Sequence, residues 1–346
     1  MGKSKSEDKR VIIMYRKVKM KNKVVVSIIV PCYNHEKFLD DCLLGILEQD
    51  YKDIEVLICD DCSPDASFQL IKTYEERLKD RFFRVEILKN EVNCGVTKNI
   101  NRMLAMANGE YIKIIASDDG LVSNAISRMV MCMEAHPSTG IVISNGVRIS
   151  EEEHHGAYGQ GERIYTLPLD LTADDILNKT YAHNDIFAPG AFIRKSVFDE
   201  VGFYDEEIAI EDLEFWLRVM TKSKVQFIFL DEDLILYRVN SDSMTSMRAN
   251  QRLEGRRIRF HQAEVAILKK YKDAVPKALY ANTLWERIMA EKGLAIHFRL
   301  KELETLANTE MKEFDGWKYL SLNTKVKYRL KNTKWFLKKV YYCFKR

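Results

Sequence analysis

The sequence predicts an α/β protein built on a mostly parallel, doubly wound sheet, and three observations carry that prediction. Apolar segments of strand length alternate with segments whose apolar residues recur at helical spacing. All-apolar strands separated by helices are typical of parallel sheets, whose two faces are both covered. Polar or acidic residues follow several of the strands directly, at the edge where doubly wound sheets bind their ligands.

The predicted elements follow one another in a regular order. The strands are expected at Val24–Val30, Ile54–Cys59, Val85–Leu88, Tyr111–Ala116 and Ile141–Ser144. Amphipathic helices are expected between them, and Asn34 is a candidate cap for the first. A later helix is predicted at Asp212–Met220 and a strand at Val225–Leu230, after which the chain is helical and charged.

Composition limits the class of protein. The 346 residues are 46% hydrophobic and 30% charged, so a large core is possible and global disorder is excluded. No uninterrupted apolar stretch approaches the roughly 18–20 residues of a membrane span, and no signal peptide is recognisable. Seven cysteines, an odd number in apolar contexts, favour reduced thiols over disulfides or a zinc site. We therefore expect a cytoplasmic protein.

Charge is distributed unevenly along the chain. The net charge is +3, but ten Lys and Arg residues and no acid follow Asp315, so residues 1–315 carry −7. A mildly acidic body argues against a nucleic-acid-binding core. We expect a basic lead-in at 1–23, a catalytic domain at 24–245 and a helical region at 246–346 that ends in a basic amphipathic tail.

Two adjacent acids follow the fourth predicted strand. Asp118 and Asp119 come directly after an apolar segment, where buried carboxylates are costly unless they bind a cation or several donors. Hard ions such as Mg²⁺ and Mn²⁺ prefer carboxylate oxygens and complete their shells with water and substrate phosphates. The pair therefore predicts a metal site better than it predicts a turn.

Two further acidic pairs carry less specific signals. Asp60 and Asp61 end the second strand, where a carboxylate could bind a base or ribose, although helix capping explains Asp60 equally well. Tyr33 ends the first strand and could stack on a base, as well as pack locally. Glu211 and Asp212 open a helix, where acids complement the dipole or serve as a general base.

Six segments occur in a characteristic order. They are V-S-I-I-V-P-C-Y-N-H-E-K-F-L (26–39), D-I-E-V-L-I-C-D-D-C-S-P-D (53–65), N-x-x-N-C-G-V-T-K-N-I-N (90–101), G-E-Y-I-K-I-I-A-S-D-D (109–119), G-A-F-I-R-K-S-V-F-D-E-V-G-F-Y-D-E (190–206) and E-D-L-E-F-W-L-R (211–218). Together they resemble glycosyltransferase family 2 over roughly residues 25–240. The resemblance implies a GT-A fold and inverting transfer of a sugar, with a UDP-sugar as the expected donor.

The resemblance also implies roles for individual residues. Asp212 corresponds to the catalytic base, assisted by Glu211, and Asp119 to the more direct metal ligand beside Asp118. Mn²⁺ or Mg²⁺ is the implied cofactor. The expected nucleotide-binding residues are Pro31, Tyr33, Asn34, Asp60, Asp61, Lys98 and Asp118.

The sequence departs from the family pattern in three places. Cys62 stands where relatives usually have Gly, so the turn after Asp61 is expected to differ. Asn240 stands where relatives often have His, which would weaken any contact to metal or diphosphate. The Q-x-x-R-W motif of processive synthases is absent, which favours a single addition per encounter.

The partners follow from the tail and from the resemblance. Apolar residues at 3–4 spacing among ten basic groups predict that 317–346 lies on an anionic membrane surface, beside a saccharide or lipid-linked acceptor. A basic helix packed on the catalytic domain is the alternative. Two other functions stay open: a nucleotidyltransferase, although residues 31–37 contain no Gly, and a nucleotide-sugar-binding protein without catalysis.

Overall fold

The computed structural model describes residues 24–155, 161–164, 167, 171–239, 254–298 and 300–320. Nine strands in these residues form one sheet. They are β1 (Val26–Cys32), β2 (Ile54–Asp60), β3 (Arg84–Lys89), β4 (Tyr111–Ile114), β5 (Gly120–Leu121), β6 (Thr139–Ile149), β7 (Arg163–Ile164), β8 (Ala191–Arg194) and β9 (Gln226–Arg238).

Helices connect the strands and continue after the last one. Those of the sheet region are α1 (Leu39–Leu47), α2 (Ser67–Arg81), α3 (Val96–Met106), α4 (Ala125–Ala135), α5 (Ala173–His183), α6 (Lys195–Val201) and α7 (Glu211–Lys222). Three more follow as α8 (Glu254–Lys270), α9 (Lys277–Phe298) and α10 (Lys301–Glu313).

The sheet is mostly parallel, as the sequence predicts. Its order is β3-β2-β1-β4-β8-β6-β9-β5, with β7 paired to β6. β1 to β4 run parallel, and β6 and β9 share their direction because β8 is antiparallel to both β4 and β6. The carboxyl ends of six strands therefore lie at one edge, and the amino end of β8 meets them there.

Helices cover both faces of the sheet, which makes it doubly wound. On one face, α1, α2 and α4 bury Leu43, Ile71 and Met129 against the strands. On the other face, α3, α6 and α7 bury Met103, Phe198 and other residues in a second cluster. The apolar runs of β1 and β2 are buried almost completely because both of their faces are covered.

The helical region packs on α5 and α7. Leu213 and Leu217 of α7 share an apolar cluster with residues of α8 and α9, including Leu268 and Trp285. Buried Glu214 of α7 accepts hydrogen bonds from Lys270 Nζ at 2.7 Å and from Tyr271 Oη at 2.8 Å. The predicted C-terminal helices are thus attached to the element that begins with Glu211 and Asp212.

One predicted cap is wrong, and several expectations fall outside the described residues. Asn34 does not cap α1, which begins five residues later after Phe38, because Asn34 has a left-handed φ of 57° and ends the β1 loop. The lead-in at 1–23, the boundary near 245 and tail residues 321–346 lie outside the described residues.

Candidate functional site

The loop after β1 forms the first part of the site. Pro31 and Cys32 pair with Cys59 and Asp60 in the parallel β1–β2 register. Tyr33 follows with 45% of its surface exposed, as a ring that stacks on a ligand requires. The left-handed turn at Asn34 is held by Ser63, whose Oγ accepts the Asn34 amide proton at 3.0 Å.

The loop after β2 carries a carboxylate that organises its neighbours. Asp61 is 3% exposed, and its Oδ1 accepts hydrogen bonds from Asn90 Nδ2 and from the amide of Cys94, both at 2.8 Å. Its Oδ2 accepts the Gly95 amide at 2.8 Å. Asp61 therefore holds the segment that leads into α3. A ligand can still donate hydrogen bonds to the remaining lone pairs of its oxygens.

Asp60 is buried differently from its neighbour. Its residue is fully buried, and its Oδ1 accepts the amide of Ser63 at 3.1 Å, which caps the turn locally. Its Oδ2 is buried and has no hydrogen-bond partner within the described part of the chain. The capping interpretation thus accounts for one oxygen of Asp60 and leaves the other unexplained.

Cys62 has a left-handed backbone conformation. Its φ is 61°, in the region that glycine adopts freely and that a non-glycine residue adopts at a cost of roughly 1–2 kcal/mol. The expectation that the turn after Asp61 differs from that of relatives stays a prediction. The cost of the left-handed conformation is a consequence of having Cys at this position.

Lys98 lies in the first turn of α3 and is exposed. The helix starts after Gly95 and has no acidic residue in its first turn. A helix N-terminus with one exposed cation is compatible with an anionic ligand. No hydrogen bond fixes the Lys98 side chain among the described residues, so its reach is set by its rotamers.

The two acids after β4 have different environments. Asp119 is 2% exposed, and burial together with the neighbouring Asp118 raises its pKa well above the usual range. The Asp118 side chain is 14% exposed, with its Oδ1 3.8 Å from Nδ1 of His35. That imidazole nitrogen is also 2.8 Å from Ser117 Oγ. Of the two carboxylates, Asp118 is the more accessible.

Arg238 connects the acidic turn to the end of β9. Its amide donates to Asp119 Oδ1 at 2.9 Å, and its Nε donates to the Asp118 carbonyl at 3.0 Å. The residue is 1% exposed, so the guanidinium is withdrawn from water. Because the acidic turn is bonded to a rigid strand end, the direction of the Asp118 side chain is restricted.

The same guanidinium also holds the loop after β6. Arg238 donates to the carbonyls of Ser150 and Glu153 at 2.6 Å and forms an ion pair with Asp41 of α1 at 2.6 Å. Asp41 accepts the His155 amide at 2.7 Å as well. A single buried cation thus joins α1, the acidic turn and residues 150–155.

Lys113 is a second buried cation, in the middle of β4. Burial lowers its pKa to about 7, and its ammonium donates to the carbonyls of Pro189 and Ala191, to the latter at 3.3 Å. The nearby Asp119 carboxylate opposes this lowering of the Lys113 pKa. Lys113 therefore ties the acidic turn electrostatically to the chain just before β8.

Glu211 and Asp212 occupy the first two positions of α7. Burial, followed by the charge of Asp212, raises the pKa of Glu211 to about 7. Burial also raises the pKa of Asp212, although the Leu213 amide donates to its Oδ1 at 2.7 Å and Asn184 Nδ2 donates to its Oδ2 at 3.2 Å. A carboxyl group with a pKa moved toward neutrality can accept a proton at physiological pH.

The acidic side chains of the site could bind a metal ion only together with ligands from outside the protein. Within the described ranges, no group of three His, Cys, Asp or Glu side chains could surround an ion. Asp118 offers one accessible carboxylate, and Mg²⁺ commonly binds one or two carboxylates together with substrate phosphates and water. The residues therefore fit an ion shared with a bound diphosphate and do not fit an all-protein cage.

Sequence reasoning missed the residues that hold the site together. Arg238 and Asp41 are 197 positions apart, and Lys113 sits within an apolar strand pattern. Asn184 ends α5, far from any acidic motif. A charged residue inside a strand pattern was a usable signal for Lys113, whereas nothing local pointed to the other three. Asn240, a predicted departure, lies outside the described residues.

Residues 27–202, about half of the chain, match the family described as Glycosyl transferase family 2. The chain belongs to glycosyltransferase family 2. It is therefore a glycosyltransferase, as the order of its motifs predicted. No helix in the described residues is both long and apolar enough to cross a membrane.

Two relatives in sequence each align with about 60% of the chain. Glycosyltransferase GlyG of Streptococcus pneumoniae serotype 4 is 29% identical over 232 residues, 64% of this chain and 72% of that protein. The putative colanic acid biosynthesis glycosyl transferase WcaA of Escherichia coli K12 is 26% identical over 206 residues, 59% of this chain and 68% of that protein.

Solved structures agree with the fold. S. aureus TarS 1-349 in complex with UDP-GlcNAc has a TM-score of 0.52 and 17% identity, over 84% of this chain and 92% of that one. The mannosyltransferase PcManGT of Pyrobaculum calidifontis, in complex with GDP-Man and Mn²⁺, has a TM-score of 0.50 and 18% identity, over 72% and 64%. The predicted GT-A fold is confirmed.

Proposed function

We propose that the protein transfers a single sugar from a nucleotide-diphosphate donor, a UDP-sugar, to a saccharide or lipid-linked saccharide, with inversion. The observation that carries this proposal is the partly buried acidic pair at the start of α7, Glu211 and Asp212, whose pKa values are raised by burial. A second acidic site follows β4 at Asp118 and Asp119, and Lys113 of β4 interacts electrostatically with Asp119. One site suits a proton acceptor and the other suits a charged leaving group.

The donor nucleotide is proposed to lie across the loops after β1 and β2. The exposed ring of Tyr33 offers a stacking surface, and the Asp61 carboxylate lies directly after β2. Pro31, Asn34 and Asp60 shape the same edge. Lys98, exposed at the start of α3, is proposed to neutralise part of the nucleotide's charge.

The diphosphate is proposed to reach Asp118. A bound Mn²⁺ or Mg²⁺ would neutralise the charge that develops on the leaving diphosphate. Asp118 is the better candidate ligand because its side chain is accessible, whereas Asp119 is buried and accepts the Arg238 amide. The family resemblance implied instead that Asp119 is the more direct metal ligand. In this proposal Asp119 stabilises the turn through its bond from the Arg238 amide.

Asp212 is proposed as the general base. Its carboxylate accepts the proton of the acceptor hydroxyl while that oxygen attacks the anomeric carbon opposite the diphosphate. One displacement of this kind inverts the anomeric centre and needs no covalent enzyme intermediate. Glu211 lies beside it, and the charge of Asp212 contributes, after burial, to the raised pKa of Glu211.

Cell-surface polysaccharide synthesis is proposed as the setting. Support comes from the name of WcaA, a putative colanic acid enzyme, and from the saccharide chemistry of the family. We further propose that the basic segment 317–346 binds anionic membranes and brings the enzyme to lipid-linked acceptors. Deleting residues 317–346 should move the protein from anionic vesicles to the unbound fraction. Unchanged vesicle binding would refute this part.

A thermal-shift screen tests the donor site without knowledge of the acceptor. Nucleoside diphosphates and their sugars are each added with Mn²⁺ and with EDTA, because a ligand that binds only the folded state raises the melting temperature. We expect UDP and one UDP-sugar to stabilise the protein, and Mn²⁺ to increase the shift. Stabilisation by another nucleotide alone would refute the uridine donor, and no shift with any of them would refute nucleotide-sugar binding.

A further inference from the structure

Asn184 ends α5 in an unusual conformation and reaches the proposed base. Its φ is 51° and its ψ is 50°, and its amide closes the helix on the Thr180 carbonyl at 2.9 Å. Its side-chain Nδ2 donates to Asp212 Oδ2 at 3.2 Å. Non-glycine residues rarely adopt this left-handed conformation, but Asn is among those that tolerate it best.

The Asp212 carboxylate receives one hydrogen bond on each oxygen. Oδ1 accepts from the amide of Leu213, the next residue in the chain, and Oδ2 accepts from Asn184. The bond from Leu213 moves with the backbone of α7. Among the described contacts, the hydrogen bond from Asn184 is therefore the one that connects the Asp212 carboxylate to an element other than α7.

The end of α5 is itself held by the C-terminal helices. Tyr181 Oη donates to the Leu268 carbonyl of α8 at 2.5 Å, and Arg287 of α9 donates to the Ala182 carbonyl at 3.0 Å. Both bonds fall within three residues of Asn184. The position of Asn184 is thus determined by a region outside the sheet, which gives the helical extension a connection to the reaction.

We propose that Asn184 is a positioning residue that orients the Asp212 carboxylate for proton transfer. This inference rests on the proposed function, in which Asp212 is the general base. The side-chain oxygen of Asn184 supports this proposal, because Oδ1 is buried and has no hydrogen-bond partner in the part of the chain that the structure describes. An amide that leaves its oxygen unsatisfied costs stability, and its retention is explained by the bond that its nitrogen makes.

The proposal predicts the direction in which the base titrates. Donation from Asn184 favours the charged carboxylate and so lowers the pKa of Asp212, against the larger effect of burial. The other titratable groups that face this pair are Glu211 on the same helix and the buried Tyr204. Neither changes when the amide is removed, so the pKa of Asp212 should rise.

Asn184→Gly is the sharpest variant because glycine adopts a φ of 51° without strain. It removes the amide and keeps the end of the helix. Asn184→Asp is the second variant, since it keeps the shape and places a carboxylate beside Asp212. His183→Ala is the matched control, because His183 is exposed in the same helical turn and makes no described contact with Asp212.

Two measurements are made on the full-length protein. The pKa of Asp212 is read from the carbon spectrum of protein labelled with carboxyl-¹³C aspartate, with Asp212→Asn assigning the signal. The release of UDP is followed between pH 5 and 9, with water as the acceptor and the stabilising UDP-sugar of the thermal screen as the donor. The first measurement does not depend on turnover.

We expect Asn184→Gly to raise the pKa of Asp212 by about one unit and to move the acid limb of kcat upward by the same amount. On the acid limb, kcat at a given pH should fall by up to roughly tenfold, while KM for the donor stays within twofold and the melting temperature does not fall. Asn184→Asp should move both quantities further in the same direction, and His183→Ala should move neither.

An unchanged pKa and acid limb in folded Asn184→Gly would overturn the proposal and leave Asn184 as a helix cap. If Asn184→Gly does not fold, Asn184→Asp decides by the same two measurements. If Asp212→Asn keeps its full rate of UDP release, the proposed function fails, whatever the titration of Asp212 shows. A pKa shift without a change in kcat would likewise reject positioning as a catalytic role.

Discussion

Two groups of acids at the candidate site use their charge differently. In the loop after β2, buried Asp61 accepts three hydrogen bonds from Asn90, Cys94 and Gly95. At the start of α7, partly buried Asp212 accepts one bond from another residue on each oxygen, and burial raises its pKa together with that of Glu211. The bonds to the first carboxylate come from the loop that it organises, and the second pair has raised pKa values.

The difference shows that burial alone does not identify a catalytic carboxylate. A buried acid with several donors stabilises the loop that provides them, because each bond favours the charged form. A buried acid with few donors and an acidic neighbour is costly to the fold, and such groups concentrate at functional sites. The α7 pair belongs to the second kind, and four predictions test the contrast.

Replacing the base should have the largest effect. Asp212→Asn keeps the shape and the N-terminal position of the side chain but cannot accept a proton, so transfer should fall by roughly 10²–10⁴-fold. The shift of the melting temperature by UDP should be retained, since Asp212 lies outside the proposed nucleotide loops. Radiolabelled sugar transfer is the measurement, with the exposed Asp199→Asn as control. Near-normal transfer would show that Asp212 is not the base.

The two regions were also unequally predictable from sequence. Strands β1 to β4, β6 and β9, helices α1 to α4 and α7, and the acidic pairs were predicted because each has a local pattern of apolar spacing or adjacent charges. The short strands β5, β7 and β8 and the helices α5 and α6 were not predicted. The bonds that hold the pairs were not predictable, since Arg238 meets Asp41 across 197 positions and Asn184 meets Asp212 across 28. Long-range polar contacts depend on how elements pack, which no periodicity records.

Replacing Asp118 and Asp119 separately should show which of the two acids binds the metal ion. Asp118→Asn should abolish the increase that Mn²⁺ adds to UDP binding, an effect on the order of 10-fold or more, because it removes the accessible carboxylate. Asp119→Ala should instead lower the melting temperature, since it removes the oxygen that accepts the Arg238 amide. Calorimetric titration of UDP with and without Mn²⁺ separates the two. The reverse pattern would restore Asp119 as the ligand.

The raised pKa of Glu211 in α7 should make the free energy of unfolding depend on pH. A carboxyl group whose pKa rises from 4.5 to about 7 on folding binds more protons when folded, so its contribution to stability falls as pH rises through that window. Glu211→Gln removes the buried charge and should stabilise the protein by about 2 kcal/mol at pH 8. At pH 4.5 the gain should vanish. Urea unfolding at the two pH values measures this, and equal effects would disprove the raised pKa.

The smallest expected effect concerns the loop in the other region. Cys62 has a φ of 61°, and among the described residues its side chain makes one hydrogen bond, from the thiol to the Glu91 carbonyl at 3.3 Å. Cys62→Gly should therefore stabilise the fold by about 1 kcal/mol, because glycine adopts this conformation without a Cβ clash. Cys62→Ala, which keeps the Cβ, is the matched control and should give no gain. If Cys62→Gly and Cys62→Ala have the same free energy of unfolding, the left-handed turn is not strained. The loop after β2 then lowers stability less than the acidic pair of α7 does.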